Sequence, residues 1–338
     1  MTISTIYRCT DSVGERPRTC GWWCLCRGIR VTGRDRDLGV IDLSELQEIR
    51  ARHPEAINEA AMRRTRRPLL NASGRIMIIA ADHPSRGALG ARGRALAMAD
   101  RGDLLTRLTV ALSRPGVDGL LASPDIVEDL LLLGALEEKI VFGSMNRGGL
   151  QGSEFEFDDR FTAYDATSIA SSRLDGGKML CRINYEDPRT VATLESCAHA
   201  VSALAEHRLP ALIEPFVSRF ENGRAKNDLS VQAVITSVAV ASGLGVTSAY
   251  TWLKLPVIDE MEQVMAATTL PAVLLGGDPH EAPDVTYAQW ERALGQRGVR
   301  GLVVGRTLLY PPDDDVEAAV DIAARLVNAG STAEIPRP

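Results

Sequence analysis

Lys254 lies in the apolar run Ala-Tyr-Thr-Trp-Leu-Lys254-Leu-Pro-Val, in a chain with only four lysines (139, 178, 226 and 254). Arginine supplies the other basic residues. A guanidinium stays charged in a protein, whereas an ammonium forced into apolar surroundings can lose its proton. A buried lysine with a lowered pKa is the nucleophile that makes a Schiff base with a carbonyl. Without chemistry, the same residue snorkels from an edge strand, its stem packed and its head in water. The local sequence leaves both readings open, so the elements that position Lys254 must decide.

Those elements belong to a chain of 338 residues, enough for one large domain or two small ones with a full hydrophobic core. A hydrophobic content of 45% with 24% charged residues describes an ordinary soluble globular protein. The net charge of -6 and a pI near 5.5 argue against nucleic acid or an anionic membrane as partner. No apolar run reaches the roughly 20 residues needed to span a bilayer, and the N-terminus lacks the apolar segment of a signal peptide. A cytoplasmic enzyme or binding protein is expected.

Residues 1–40 differ from the rest. They hold four of the six cysteines (Cys9, Cys20, Cys24, Cys26) and show no helical or strand period, so they read as a poorly ordered extension or an over-extended start of translation. Cys20-Gly-Trp-Trp-Cys24-Leu-Cys26 invites a metal, but no second Cys/His pair with zinc-type spacing follows. No metal and no cofactor are expected. Cys181 and Cys197 are isolated, which suits a reducing compartment.

Residues 41–70 read as a helical lead-in broken around Pro54, and residues 331–338 as a tail. Between them, over 71–330, apolar strand-like runs recur at Ile76–Ala81, Gly119–Ala122, Ile140–Gly143, Met179–Ile183, Ala211–Ile213, Ala249–Leu255, Ala272–Leu275 and Gly301–Val304. Amphipathic stretches separate them, at 102–112, 124–133, 191–207, 231–242, 259–268 and 316–329. Wholly apolar strands alternating with helices imply a parallel sheet covered by helices. Eight such units in about 250 residues is the measure of an α/β (β/α)8 TIM barrel, here with an N-terminal extension. A doubly wound open sheet fits less well, because no Gly-x-Gly-x-x-Gly follows the first strand.

A barrel collects its functional groups just after the strands. The first strand ends in Asp82-His83, the second in Ser123-Pro124-Asp125, and the third in Ser144-Met145-Asn146-Arg147. The fourth carries Arg182, Asn184 and Tyr185, the fifth Glu214, the sixth Lys254. The last two end in Gly276-Gly277-Asp278 and Gly305-Arg306, where backbone N–H groups can approach a phosphate and a guanidinium can bind it bidentately. The glycines could equally serve tight turns alone.

The segments around Lys254-Leu-Pro256, Gly276-Gly277 and Gly305-Arg306 resemble the final three strands of class I (Schiff-base) aldolases. The likeness is to the bacterial and archaeal fructose-bisphosphate aldolase group, with its tagatose-bisphosphate and deoxyribose-phosphate relatives. It covers roughly residues 70–330. It departs at Pro84, where the family has glycine, and lacks the deoxyribose-phosphate aldolase signature around the lysine. The resemblance implies that Lys254 forms the Schiff base with a phosphorylated ketose or keto-sugar acid, including acids from sugar or inositol breakdown. The Gly-Gly and Gly-Arg turns would then hold its phosphate, and Asp82 would assist proton transfer. It further implies a tyrosine acid/base near Tyr185, and a homo-oligomer.

Among the remaining candidates, Glu214 is expected to pair with Lys254 or Arg182, since an unpaired buried carboxylate is costly. Arg182 neutralises these acids or contacts substrate. His83, Ser144 and Asn184 are expected to contact substrate. Lys178, at the start of the fourth strand, is expected to be structural. Residues 144–172 (with Arg147 and Arg160) and 216–230 (with Arg219, Arg224 and Lys226) are long loops of the kind that bind or cover substrate, and their basic residues hold a second anion or face solvent. Two other functions remain open: a sugar-phosphate-binding barrel without turnover, and a phosphosugar isomerase or epimerase using Asp82 and Glu214 as bases.

Overall fold

The structure, a computed structural model, describes residues 41–70, 73–277 and 282–329. The cysteine-rich residues 1–40, Asp278 and the tail at 331–338 lie outside them. Eight parallel strands close into a barrel: β1 (Ile76–Ala81), β2 (Gly119–Ala122), β3 (Ile140–Ser144), β4 (Gly176–Ile183), β5 (Ala211–Glu221), then β7 (Thr251–Leu255), β8 (Ala272–Leu275) and β9 (Val299–Val304). The ring is completed by pairing of β4 with β5 and of β1 with β9. The ninth strand, β6 (Arg224–Asn227), is not part of the barrel. It folds back antiparallel on the end of β5 as a hairpin, where the sequence reads as loop.

Helices cover the barrel in the expected alternation. α1 (Ser44–Arg52) and α2 (Glu55–Arg63) precede β1, with Pro54 between them. The others are α3 (Arg101–Ser113), α4 (Pro124–Leu132), α5 (Ala166–Ser171), α6 (Arg189–Glu206), α7 (Val231–Ser242), α8 (Met261–Ala266), α9 (Pro283–Leu294), α10 (Arg306–Leu309) and α11 (Val316–Ala329). Among the described residues, no helix is long and apolar enough to cross a membrane.

Each strand is buried on both faces, and its period of two divides it between two cores. One set of side chains packs outward against the helices. The other fills the barrel interior with Ile76, Ile78, Ala80, Leu121, Ile140, Phe142, Leu212, Trp252, Val273 and Val303. Leu69 and Leu70 pack against this inner core. Two residues farther along six of the strands, the inward position changes character. Ala80 is followed by Asp82, Leu121 by Ser123, Phe142 by Ser144, Leu212 by Glu214, Trp252 by Lys254 and Val303 by Gly305. A polar layer therefore rests on an apolar plug, and the strand period decides which side chains form it.

Candidate active site

Above that plug a cavity of about 410 Å³ opens at the C-terminal end of the strands. Lys254 is 4% exposed on β7, and its Nζ donates to Glu214 Oε1 at 2.8 Å. The other oxygen of Glu214, Oε2, lies 2.5 Å from Lys178 Nζ, which also donates to Asp82 Oδ2 at 3.2 Å. Asp82 Oδ2 accepts from Ser144 Oγ at 3.0 Å and pairs with Arg147 Nη1 at 3.1 Å. Charges thus alternate along one buried row: Lys254, Glu214, Lys178, Asp82, Arg147.

The electrostatics follow from that row. Burial alone would raise the Asp82 carboxyl, but Arg147 and Lys178 outweigh it and hold the group well below the usual carboxylate range. Glu214 is likewise held low by Lys178 and Lys254 against the opposing effect of burial. Both acids are therefore ionised at neutral pH. For Lys178 the balance goes the other way, since burial, with Arg147 adding to it, lowers its ammonium below the ordinary lysine value.

Lys178 belongs to this centre, contrary to the structural role expected from its place at a strand start. β4 begins at Gly176 rather than at Met179, and the strands of a closed barrel are staggered. Lys178 is level with Ser144 at the end of β3. The barrel's stagger lifts it into the polar layer, which no local pattern reveals.

His83 lines the cavity, and its buried Nδ1 has no hydrogen-bond partner among the described residues, lying 3.9 Å from Asp82 Oδ1. Burial, with Arg306 beside it, pushes the imidazole down to about 3, so it is neutral under physiological conditions. Between pH 3 and about 6.5 the unfolded chain binds a proton here that the folded protein refuses, so folding loses stability as pH falls below about 6.5. A His83→Asn variant is expected to lose stability less steeply from pH 6.5 to 5, by up to about 1.4 kcal/mol per pH unit. Parallel stability–pH curves for the two proteins, measured by chemical denaturation, would refute this.

Gly276, Gly277, Gly305 and Arg306 line the same cavity. Gly277 has φ +73°, and no described residue lies within 4 Å of where a Cβ would stand. At Gly305 a Cβ would meet the Ala80 carbonyl oxygen at 2.3 Å, so glycine is also required there for packing against β1. Arg306 Nη1 donates to the Gly90 carbonyl at 3.1 Å.

Three expected residues are not brought to the cavity wall. Tyr185 is 74% exposed, because on β4 it has the parity opposite to Lys178, Leu180 and Arg182 and follows the strand's end. Asn184 is committed to the turn that ends β4: its Oδ1 accepts from Glu186 N and its carbonyl from Thr190 Oγ1. Ser144 lies beneath the wall and orients Asp82. Arg182 does line the cavity, but it pairs with Asp159 (2.7 Å) and Glu156 (3.3 Å) rather than with Glu214.

The two long loops meet beside the mouth, where Phe157 and Phe220 pack edge to face with ring centroids 4.5 Å apart. Of their basic residues, Arg147 is buried in the centre, whereas Arg160, Arg219, Arg224 and Lys226 face solvent. Glu156, which reaches the cavity from a loop, and Asp159, which pairs with Arg182 behind it, carry no local pattern that marks them. Among the described residues, no group of three or more His, Cys, Asp or Glu side chains is placed to hold a metal ion.

Comparison with known proteins adds to this geometry. No curated protein matches the chain. Among solved structures, Cgl0159 from Corynebacterium glutamicum is 54% identical, covers 85% of this chain and 97% of its own, and superposes with a TM-score of 0.83. A Schiff-base-forming fructose-1,6-bisphosphate aldolase is 17% identical over 80% of this chain and 99% of its own (TM-score 0.59). A fructose-bisphosphate aldolase from Slackia heliotrinireducens is 13% identical over 83% and 93% (TM-score 0.53). These two aldolases share the barrel fold. Residues 74–324 match the Cgl0159-like family, and with the 54% identity to Cgl0159 itself this shows that the chain belongs to the Cgl0159-like family.

Proposed function

We propose that the protein is a class I aldolase that cleaves or forms a C–C bond in a phosphorylated ketose or keto-sugar acid through a Schiff base on Lys254. The observation that carries the proposal is the row Lys254–Glu214–Lys178–Asp82 beneath a cavity of about 410 Å³, a volume suited to a small metabolite. The two aldolases of the same fold agree with it, and one of them is described as Schiff-base forming.

In this mechanism the Lys254 ammonium passes a proton to Glu214, 2.8 Å away, the neutral amine attacks the substrate carbonyl carbon, and a second proton moves from nitrogen to the new alkoxide oxygen. The resulting carbinolamine loses its hydroxyl as water, which requires a proton back from the same carboxyl, and a protonated imine forms. Asp82, ionised by Arg147 and Lys178, removes the proton of the hydroxyl on the far carbon of the bond to be broken. The C–C bond then breaks, its electron pair flows into the iminium, and an aldehyde departs. The enamine left on Lys254 is reprotonated on carbon and hydrolysed, restoring the amine. The iminium does the polarising, and the phosphate rests against Gly276, Gly277, Gly305 and Arg306.

The test is borohydride trapping. Incubation with dihydroxyacetone phosphate, reduction, digestion and mass spectrometry should place the adduct on the peptide carrying Lys254. An adduct on Lys178 would move the nucleophile two strands away, from β7 to β4. With no adduct from this or other phosphorylated ketoses and keto acids, the binding-barrel or isomerase function would take its place.

A further inference from the structure

We propose that the arm of the cavity lined by Arg86, Arg147 and Arg182 binds one negative charge, a carboxylate on the half of the substrate that leaves as the aldehyde. This rests on the aldolase function proposed above. Arg147 follows β3 and Arg182 lies on β4. In the ring of eight strands these are diametrically across from β8 and β9, where Gly276, Gly277, Gly305 and Arg306 form the phosphate end. Lys254 and Asp82 stand between the two ends. A substrate held by phosphate at one end and by the imine at its centre therefore extends its departing half toward these arginines.

The arm is built for an anion. Arg147 is 5% exposed; its Nε donates to the Asn146 carbonyl and its Nη1 pairs with Asp82. Its Nη2 is buried and has no acceptor among the described residues. A buried guanidinium N–H without an acceptor is costly, and a ligand carboxylate would complete it. Arg86, mostly buried, reaches Glu156 Oε1 at 3.3 Å. Its guanidinium is pushed down to about 10 by burial and by Arg182 and Arg147 nearby, the sign of an under-compensated positive field.

The number of charges selects the ligand. Asp82 and Glu214 are matched by Lys178 and Lys254 within the row. Together with Arg86, Arg147 and Arg182 these lysines make five cations against the four carboxylates Asp82, Glu214, Glu156 and Asp159, which leaves one positive charge. Glu156 also lines the arm, so a phosphate dianion would meet a fixed carboxylate in addition to exceeding the available charge. One carboxylate balances the arm, and the planar guanidinium suits its two oxygens.

The experiment is aldol condensation with dihydroxyacetone phosphate as the common donor. The enamine carbon bonds to the acceptor's carbonyl carbon, whose oxygen gains a proton, and the acceptor's other groups are untouched. Acceptors are 3-oxopropanoate and 4-oxobutanoate (carboxylate), glyceraldehyde 3-phosphate (phosphate) and glyceraldehyde (neutral). One of the carboxylated aldehydes should exceed glyceraldehyde in kcat/KM by about 10- to 100-fold. In Arg147→Met and in Arg86→Met that ratio should fall toward unity; as a ratio, it is insensitive to a general loss of active protein. Equal use of neutral and carboxylated aldehydes, or a ratio unchanged in both variants, overturns the anion subsite. Preference for the phosphorylated aldehyde overturns its charge. In each of these cases a trapped Lys254 adduct shows that the Schiff-base function survives. Absence of the adduct overturns both proposals together.

Discussion

Lys254→Met should lower kcat by at least about 10⁴-fold and abolish borohydride trapping, because a nucleophile that forms the covalent intermediate has no substitute. Methionine keeps most of the side-chain volume of Lys254, which is packed between Glu214 and the inner core. Glu214 keeps its second partner, Lys178 at 2.5 Å, so the buried carboxylate is not orphaned and the barrel should remain folded. The phosphate end, at Gly276, Gly277, Gly305 and Arg306, is built from other strands and should still bind inorganic phosphate. Turnover, trapping, circular dichroism and calorimetric phosphate binding measured on one preparation separate loss of chemistry from loss of fold. Wild-type turnover in this variant would refute the Schiff base outright.

The second large effect is expected at Lys178, the residue that joins the two acids. In Lys178→Met, Asp82 retains Arg147 and Glu214 retains Lys254, but the cation between them is gone and their mutual repulsion is no longer screened. Removing one member of a buried charge network typically costs about 3 kcal/mol or more. The sign with pH follows from the depressed carboxyls. Their contribution to stability is fully present above the unfolded carboxyl values and is lost as pH falls through the folded ones. The stability gap between wild type and Lys178→Met should therefore be full at neutral pH and shrink below about pH 4. Because the lost cation had held both acids low, the acid limb of the rate profile should move to higher pH, with kcat down about 10²- to 10³-fold. Urea denaturation and pH–rate profiles measure these directly. An unshifted acid limb would mean that Lys178 does not set the protonation of the acids.

The barrel was legible because a strand covered on both faces must be apolar throughout. Seven of the eight observed barrel strands begin within two residues of an apolar run visible in the sequence, and the eighth, β4, extends three residues farther back. The hairpin β5–β6 was not legible. Its residues, Ser-Arg-Phe-Glu-Asn-Gly-Arg-Ala-Lys-Asn, are mostly exposed, so no hydrophobic period marks them. The short helices α5 and α10 lack the length for a helical period to show.

Position at the end of an apolar run placed Asp82, Glu214 and Lys254 at the ends of three strands, and the structure turns all three inward. That much is dictated by the chain itself, since a period of two carries an inward apolar residue to an inward polar one. Partnership is not. Glu214 takes Lys178 in addition to the expected Lys254, and not Arg182; Tyr185 turns to solvent, and Arg86, Arg147 and Glu156 join the wall from outside the strands. Only the closed barrel decides these, because its stagger sets which residues of neighbouring strands are level, and no single strand encodes its height against the next.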